Sequence, residues 1–241
     1  MKDETESIEL DPRRIADAAS RLADRVGERM PSRRLATHAR AFAVHAAAVI
    51  NTGPAAVAVP RWMMASSWVG GVGALLILAS PFMIVRKIDG IEVLPDYLQA
   101  LDSAVTTFAA AVAGFFTMRS ISQAHTRRRA IEGLHRLRAF VHMTDMLQMN
   151  KAPARLLFPT APTTSSPARE TDPATMGAYL TYCSELAGLI AKIATVYGQW
   201  APDATVMATV DDIEDRCGEL ELKIGQKLML LERLHSAGVR A

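Results

Sequence analysis

Two cysteines, Cys183 and Cys217, are all that the chain of 241 residues contains. They are too few and too far apart for a zinc motif, and each falls inside a helical pattern. Both are therefore expected as buried free thiols in a reducing compartment. Aromatic residues are scarce, at 6 %, and no nucleic-acid motif accompanies the arginine clusters, so nucleic acid is not an expected partner. An excess of either charge is missing too, the formal net charge being +2. The amino terminus is acidic and the first apolar run comes late, so no cleavable signal peptide is expected. Catalytic signatures are absent: Ser184, Cys183 and the scattered histidines have no supporting motif around them. The expectation is a chain without enzymatic activity and without a cofactor.

What the chain does have is two apolar runs. SSWVGGVGALLILASPFMIV (Ser66–Val85) is twenty residues without a formal charge. At about 1.5 Å of rise per residue it spans a hydrocarbon core of about 30 Å. SAVTTFAAAVAGFFTM (Ser103–Met118) is shorter. It reaches spanning length if its helix begins near Tyr97, with Asp102 in the headgroup zone. Neither run holds an ionisable side chain, which argues against a proton relay or an ion-coupled transporter. The glycines of WVGGVG lie within the first run, where they cannot cradle a phosphate.

Charge around the runs sets their orientation. Nine arginines lie between Arg13 and Arg61 against Asp17, Asp24 and Glu28, and Arg119, Arg127, Arg128, Arg129, Arg136 and Arg138 follow Met118 against Glu132 alone. The connecting segment carries Arg86 and Lys87 but also Asp89, Glu92, Asp96 and Asp102. Lys and Arg stay on the cytoplasmic side, so both termini are read as cytoplasmic, and Trp62 and Trp68 suit the interfacial aromatic belt. Ser66, Gly70 and Ala74 on one run, and Thr106, Ala110 and Gly114 on the other, recur every four residues. Small residues at that spacing let helices approach closely in lipid, within the hairpin or between copies of the chain.

The rest reads as helix. Asp11-Pro12 starts one helix as N-cap and first helical residue. Ile15, Leu22, Val26 and Met30 share its apolar face, to be laid on the membrane surface or on the carboxy-terminal domain. A second stretch, Arg33–Asn51, ends at Asn51-Thr-Gly-Pro54; residues 41–60 read as interfacial or packed on protein. A helix then continues unbroken from Met118 to about Asn150. Its last turns carry a polar stripe, His142, Asp145 and Gln148, in apolar surroundings, facing either water or a polar site. A linker, 151–173, holds five prolines. Asp172-Pro173 repeats the cap signature ahead of an a/d seam: Met176, Tyr179, Cys183, Leu186, Ile190, Ile193 and Tyr197. After Pro202-Asp203 a second seam follows, Val210, Ile213, Cys217, Leu220, Ile224, Leu231 and Leu234, with Lys227 at the vacant step.

The fold expected is all-α: a two-helix transmembrane hairpin plus a cytoplasmic antiparallel helical bundle. Its parts are amino-terminal amphipathic helices (1–61), the hairpin (62–119, spans about 66–85 and 99–118) and the bundle (120–241). A metal site is the most testable chemistry, with His142 and Asp145 at i,i+3 joined by Glu185 or Glu214. No second Glu-x-x-His supports it, so the residues do not predict a metal.

The segments RRRAIEGLHRLRAFVHMTDMLQMNKAP (Arg127–Pro153), YLTYCSELAGLIAKIATVY (Tyr179–Tyr197) and VDDIEDRCGELELKIGQKLMLL (Val210–Leu231) resemble a group of uncharacterised bacterial proteins with a membrane hairpin before a similar helical domain. The likeness covers Leu94 to Leu231. It implies this architecture and a bacterial inner-membrane location, and it brings no activity with it. It also makes His142, Asp145, Gln148 and Lys151 the polar residues to test first. The expected role is a non-enzymatic, self-associating scaffold or regulatory module, with the bilayer, further copies and a cytoplasmic protein as partners. The alternatives are a two-span pore-forming effector and a metal-dependent enzyme using His142 and Asp145.

Overall fold

The computed structural model describes residues 10–58, 94–153 and 172–238, with single positions between 65 and 79 and at 156, 161 and 164. Regular structure among them is entirely helical: α1 (Pro12–Arg29), α2 (Arg34–Thr52) followed by a 3-10 turn (Gly53–Ala56), α3 (Leu94–Met149), α4 (Pro173–Trp200) and α5 (Ala204–Gly238). Most of the Ser66–Val85 run and of the 151–173 linker lies outside the described residues.

Local chemistry sets the helix ends. Asp11 Oδ1 accepts a hydrogen bond from the Arg13 amide at 2.9 Å, and Pro12 opens α1. Asp172 accepts from the Ala174 and Thr175 amides at 3.2 and 2.9 Å and from the Thr175 hydroxyl. Asp203 accepts from the Thr205 amide at 2.9 Å. Each cap satisfies amides that have no partner within the helix. α2 stops at Gly53, whose φ of 57° a side chain would disfavour and whose N–H returns to Val49 O.

The chain forms two compact units, Met1–Ala56 with Ala130–Ala241, and Val57–Arg129. In the first, the apolar face of α1 (Ile15, Leu22, Val26, then Met30) is buried, and α1 packs on α2 and α4. α2 buries Leu35, Phe42, Ala46 and Val49, so this helix is packed on protein. Every residue of the α4 seam is buried, as are Val210, Ile213, Cys217, Leu220, Ile224 and Leu231 of α5. α4 and α5 run in opposite directions, since Gly198 faces Met207 while Gly188 faces Glu221. The carboxy-terminal part of α3 adds Leu134, Leu137 and Val141. Burial of one such side chain contributes about 1.5–3 kcal/mol.

The second unit is different in kind. α3 extends without a break through the Ser103–Met118 run, starting at Leu94. This is the one helix, among the described residues, long and apolar enough to cross a membrane, and 6 % of its most apolar 18-residue window is buried. Val105 and Phe116 are 54 and 63 % exposed. The hydroxyls of Thr107, Thr117 and Ser122 donate to the carbonyls of Ser103, Ala113 and Met118 at 2.7–2.8 Å. They are thereby satisfied within the helix.

Candidate functional site at the end of the long helix

A polar cluster joins the last turn of α3 to α4 and α5. Lys227, the charge that interrupts the α5 seam, donates to the backbone carbonyl of Gln148 at 2.9 Å and to its side-chain oxygen. Gln148 Nε2 in turn donates to Asp145 Oδ1 at 2.7 Å. The Tyr179 hydroxyl donates to Leu147 O at 3.2 Å, and the Lys151 ammonium lies 5.0 Å from the centre of the Tyr179 ring. The last carbonyls of a helix have no partner inside it, and here a lysine and a tyrosine from two other helices take up that role. A cation at this end also favours the helix dipole.

Burial shapes the protonation of the cluster. It pushes the Lys227 ammonium below its usual range, with Asp145 and then Cys183 acting the other way. It raises the Tyr179 hydroxyl, with a smaller contribution from Cys183. The Cys183 thiol is pushed up to about 12, chiefly by burial, with Lys227 and Lys151 opposing. Cys217 is likewise raised to about 12 by burial, then by Glu221 and Glu214. Both are free, buried cysteines. Thiols held protonated at neutral pH are not nucleophiles.

A second cluster ties α2 to α3. His38 Nε2 lies 3.1 Å from Thr144 Oγ1 and 3.3 Å from Phe140 O. The Thr144 hydroxyl donates to Phe140 O at 2.9 Å. Its oxygen therefore accepts from His38, which sets the Nε2–H tautomer of a neutral ring. His45 stacks on Phe140 with centroids 5.5 Å apart, and its Nε2 is buried without a partner.

The polar stripe read from the sequence divides. His142 is exposed, Asp145 is half-buried, and Gln148 and Lys151 are buried. The reason is geometric: steps of three turn back about 60° each on a helix of 3.6 residues per turn. A three-spaced stripe therefore winds from the water face at His142 to the core face at Gln148. Glu185 is engaged elsewhere: it pairs with Arg25 of α1, whose guanidinium lies 5.8 Å from the Tyr182 ring centre. Glu214 accepts from the Thr195 hydroxyl. Among the described residues no three His, Cys, Asp or Glu side chains gather in a group that could hold a metal.

Of the small-residue positions, Ser66 and Ala74 lie outside the described residues, while Thr106, Ala110 and Gly114 are exposed on α3. A Cβ added at Gly70 or Gly114 would meet nothing within 4 Å. The residues sequence reasoning missed are Thr144, a buried hydroxyl, and Gly133, which lies against Tyr197. Only an apolar count around α3 that included Thr144 would have found the first.

No protein-family model matches the chain, nor does any curated protein or solved structure.

Proposed function

We propose that the chain is an integral membrane protein whose spans, about 66–85 and 99–118, form a hairpin with both termini cytoplasmic. Its remaining helices then form an antiparallel cytoplasmic bundle. The observation that carries this reading is the exposure of α3 around Val105 and Phe116, in a helix apolar enough to span. A core helix of that composition in a water-soluble protein is mostly covered. Apolar surface left in water costs about 25 cal/mol per Å², and in hydrocarbon that cost vanishes. The Thr107 and Thr117 hydroxyls, bonded one turn back, suit the same surroundings, since lipid offers them no other partner. The arginines flanking the runs support the orientation, and the inner-membrane location rests on the resemblance of the Arg127–Leu231 segments.

Within that frame the chain acts as a non-enzymatic scaffold or regulatory module that self-associates and presents its helical unit to a cytoplasmic partner. The exposed Thr106, Ala110 and Gly114 offer a surface on which a second apolar helix could lie closely. The polar groups of the Lys227 cluster bond to one another, which suits a structural role.

Carbonate extraction tests the membrane assignment: release into the soluble fraction would remove it. Asp89→Cys and Ser236→Cys, labelled with an impermeant thiol reagent on intact cells, test topology, with reaction expected at position 89 only. Native mass spectrometry of the gently extracted protein tests the role. A homo-oligomer or a co-extracted protein supports it, and a strict monomer without partner overturns it.

A further inference from the structure

Met143, Met146 and Met149 are 45, 59 and 61 % exposed on the last turns of α3. Methionine is ordinarily among the buried residue types, so three on one face call for a reason. Successive positions turn back by about 60°, so the three span an arc of about 120°, and His142 falls inside it. The buried residues of the same stretch, Leu134, Leu137, Val141, Thr144 and Gln148, lie on the opposite side of the helix. The methionine face is thus the one directed away from the core, where helices usually carry charge.

Met146 is the centre of this set. His142 stands four residues before it, Met143 three before and Met149 three after. Side chains at those separations are neighbours, with Cβ atoms about 5–6 Å apart. Three rotatable bonds in each thioether chain let the sulfurs of Met143 and Met146 move toward a common point beside the His142 ring, whereas Met149, about two turns beyond His142, is too far along the helix to join them. His142 is exposed beside them. The carboxylate beside them, Asp145, is engaged with Gln148 Nε2. What remains is thioether sulfur and one imidazole, a soft donor set that favours Cu(I) over Zn(II), Mg(II) or Ca(II).

We propose that His142, Met143 and Met146 form a surface site for Cu(I). The ion enters and leaves as Cu(I), so no electron transfer accompanies binding. The site does not depend on the membrane assignment, because all three residues belong to the unit of Met1–Ala56 and Ala130–Ala241.

The test is an anaerobic titration of the purified full-length chain with Cu(I) in competition with a chromophoric Cu(I) chelator, and separately with Zn(II). The variants are the combined Met143→Leu, Met146→Leu protein and His142→Ala. Leucine keeps volume and apolarity at exposed positions, and circular dichroism checks that the fold persists. Expected are stoichiometric withdrawal of Cu(I) by the wild type, its loss in the double-leucine protein, weakened uptake with His142→Ala and no Zn(II) uptake. The proposal is overturned if the wild type leaves all the Cu(I) with the chelator. It is also overturned if the double-leucine protein takes up Cu(I) as the wild type does, which would assign the ion to other ligands such as Cys183 or Cys217.

Discussion

Gly133 of α3 lies directly against the ring of Tyr197 of α4, so that a Cβ added there would overlap the Cζ and Oη atoms. Tyr197 is buried and packs edge-on against Trp200 with centroids 6.0 Å apart. The close approach of the two helices therefore depends on a hydrogen atom at position 133. Gly133→Ala should gain up to about 1 kcal/mol of helix propensity and lose about 1–3 kcal/mol through overpacking. The clash wins. Chemical denaturation is expected to show net destabilisation, and Tyr197→Leu in the same background should recover part of it. Additive effects of the two changes would disprove the contact.

Lys227 holds the Gln148 carbonyl and side chain. Lys227→Met keeps most of the stem and removes the ammonium, leaving the end of α3 short of a donor. A loss of about 1–2 kcal/mol is expected for a partly exposed charged bond. Hydrogen exchange gives a sharper readout: amides near Gln148 should exchange faster, while those in the middle of α4 should not change.

His38 and His45 both titrate below the usual histidine value, mainly through burial, with the Arg136 charge adding to the effect at His45. The unfolded chain therefore takes up protons first as pH falls. The stability these rings allow is fully present above about pH 6.5 and declines below it, until the folded-state values are passed. Thermal melting should fall between pH 7 and pH 5. His45→Phe keeps the stack on Phe140 and removes the unpaired buried Nε2. It should raise stability at pH 7 by about 1 kcal/mol and flatten the pH slope. An unchanged slope would remove His45 from the account.

Val105 separates lipid from water as the surroundings of α3. In the membrane assignment, Val105→Arg places a charge toward the middle of the second span, at about 2.5–3.5 kcal/mol near a helix centre. Membrane integration, followed by carbonate extraction, should drop. On an ordinary wet surface the same change would stay within about 0.5 kcal/mol, and fractionation would not move.

Much of the helical unit was legible without coordinates. The seams of α4 and α5 were readable because an apolar residue every three or four positions has one way to be buried. The caps at Asp11 and Asp172 were readable because a short acidic side chain just before a proline has a local partner. The stripe from His142 to Lys151 was not resolved by spacing, because a step of three drifts around the helix and leaves the buried end open. Spacing puts Lys227 at the vacant step of a seam and says nothing of its partner; in the structure it reaches Gln148, 79 residues earlier in the chain.

Sequence by itself determined that this chain is helical, where α1, α2, α4 and α5 begin, which faces α1, α4 and α5 bury, and that α3 is long and apolar enough to cross a membrane. These properties depend on neighbours within a few turns, and periodicity and capping chemistry report them directly. Tertiary structure alone decided that Glu185 serves Arg25, that Thr144 serves His38, that Gly133 makes room for Tyr197, and that the methionines of α3 face outward. Each depends on which helix lies opposite and at what rotation, and those are set by the packing of the whole unit.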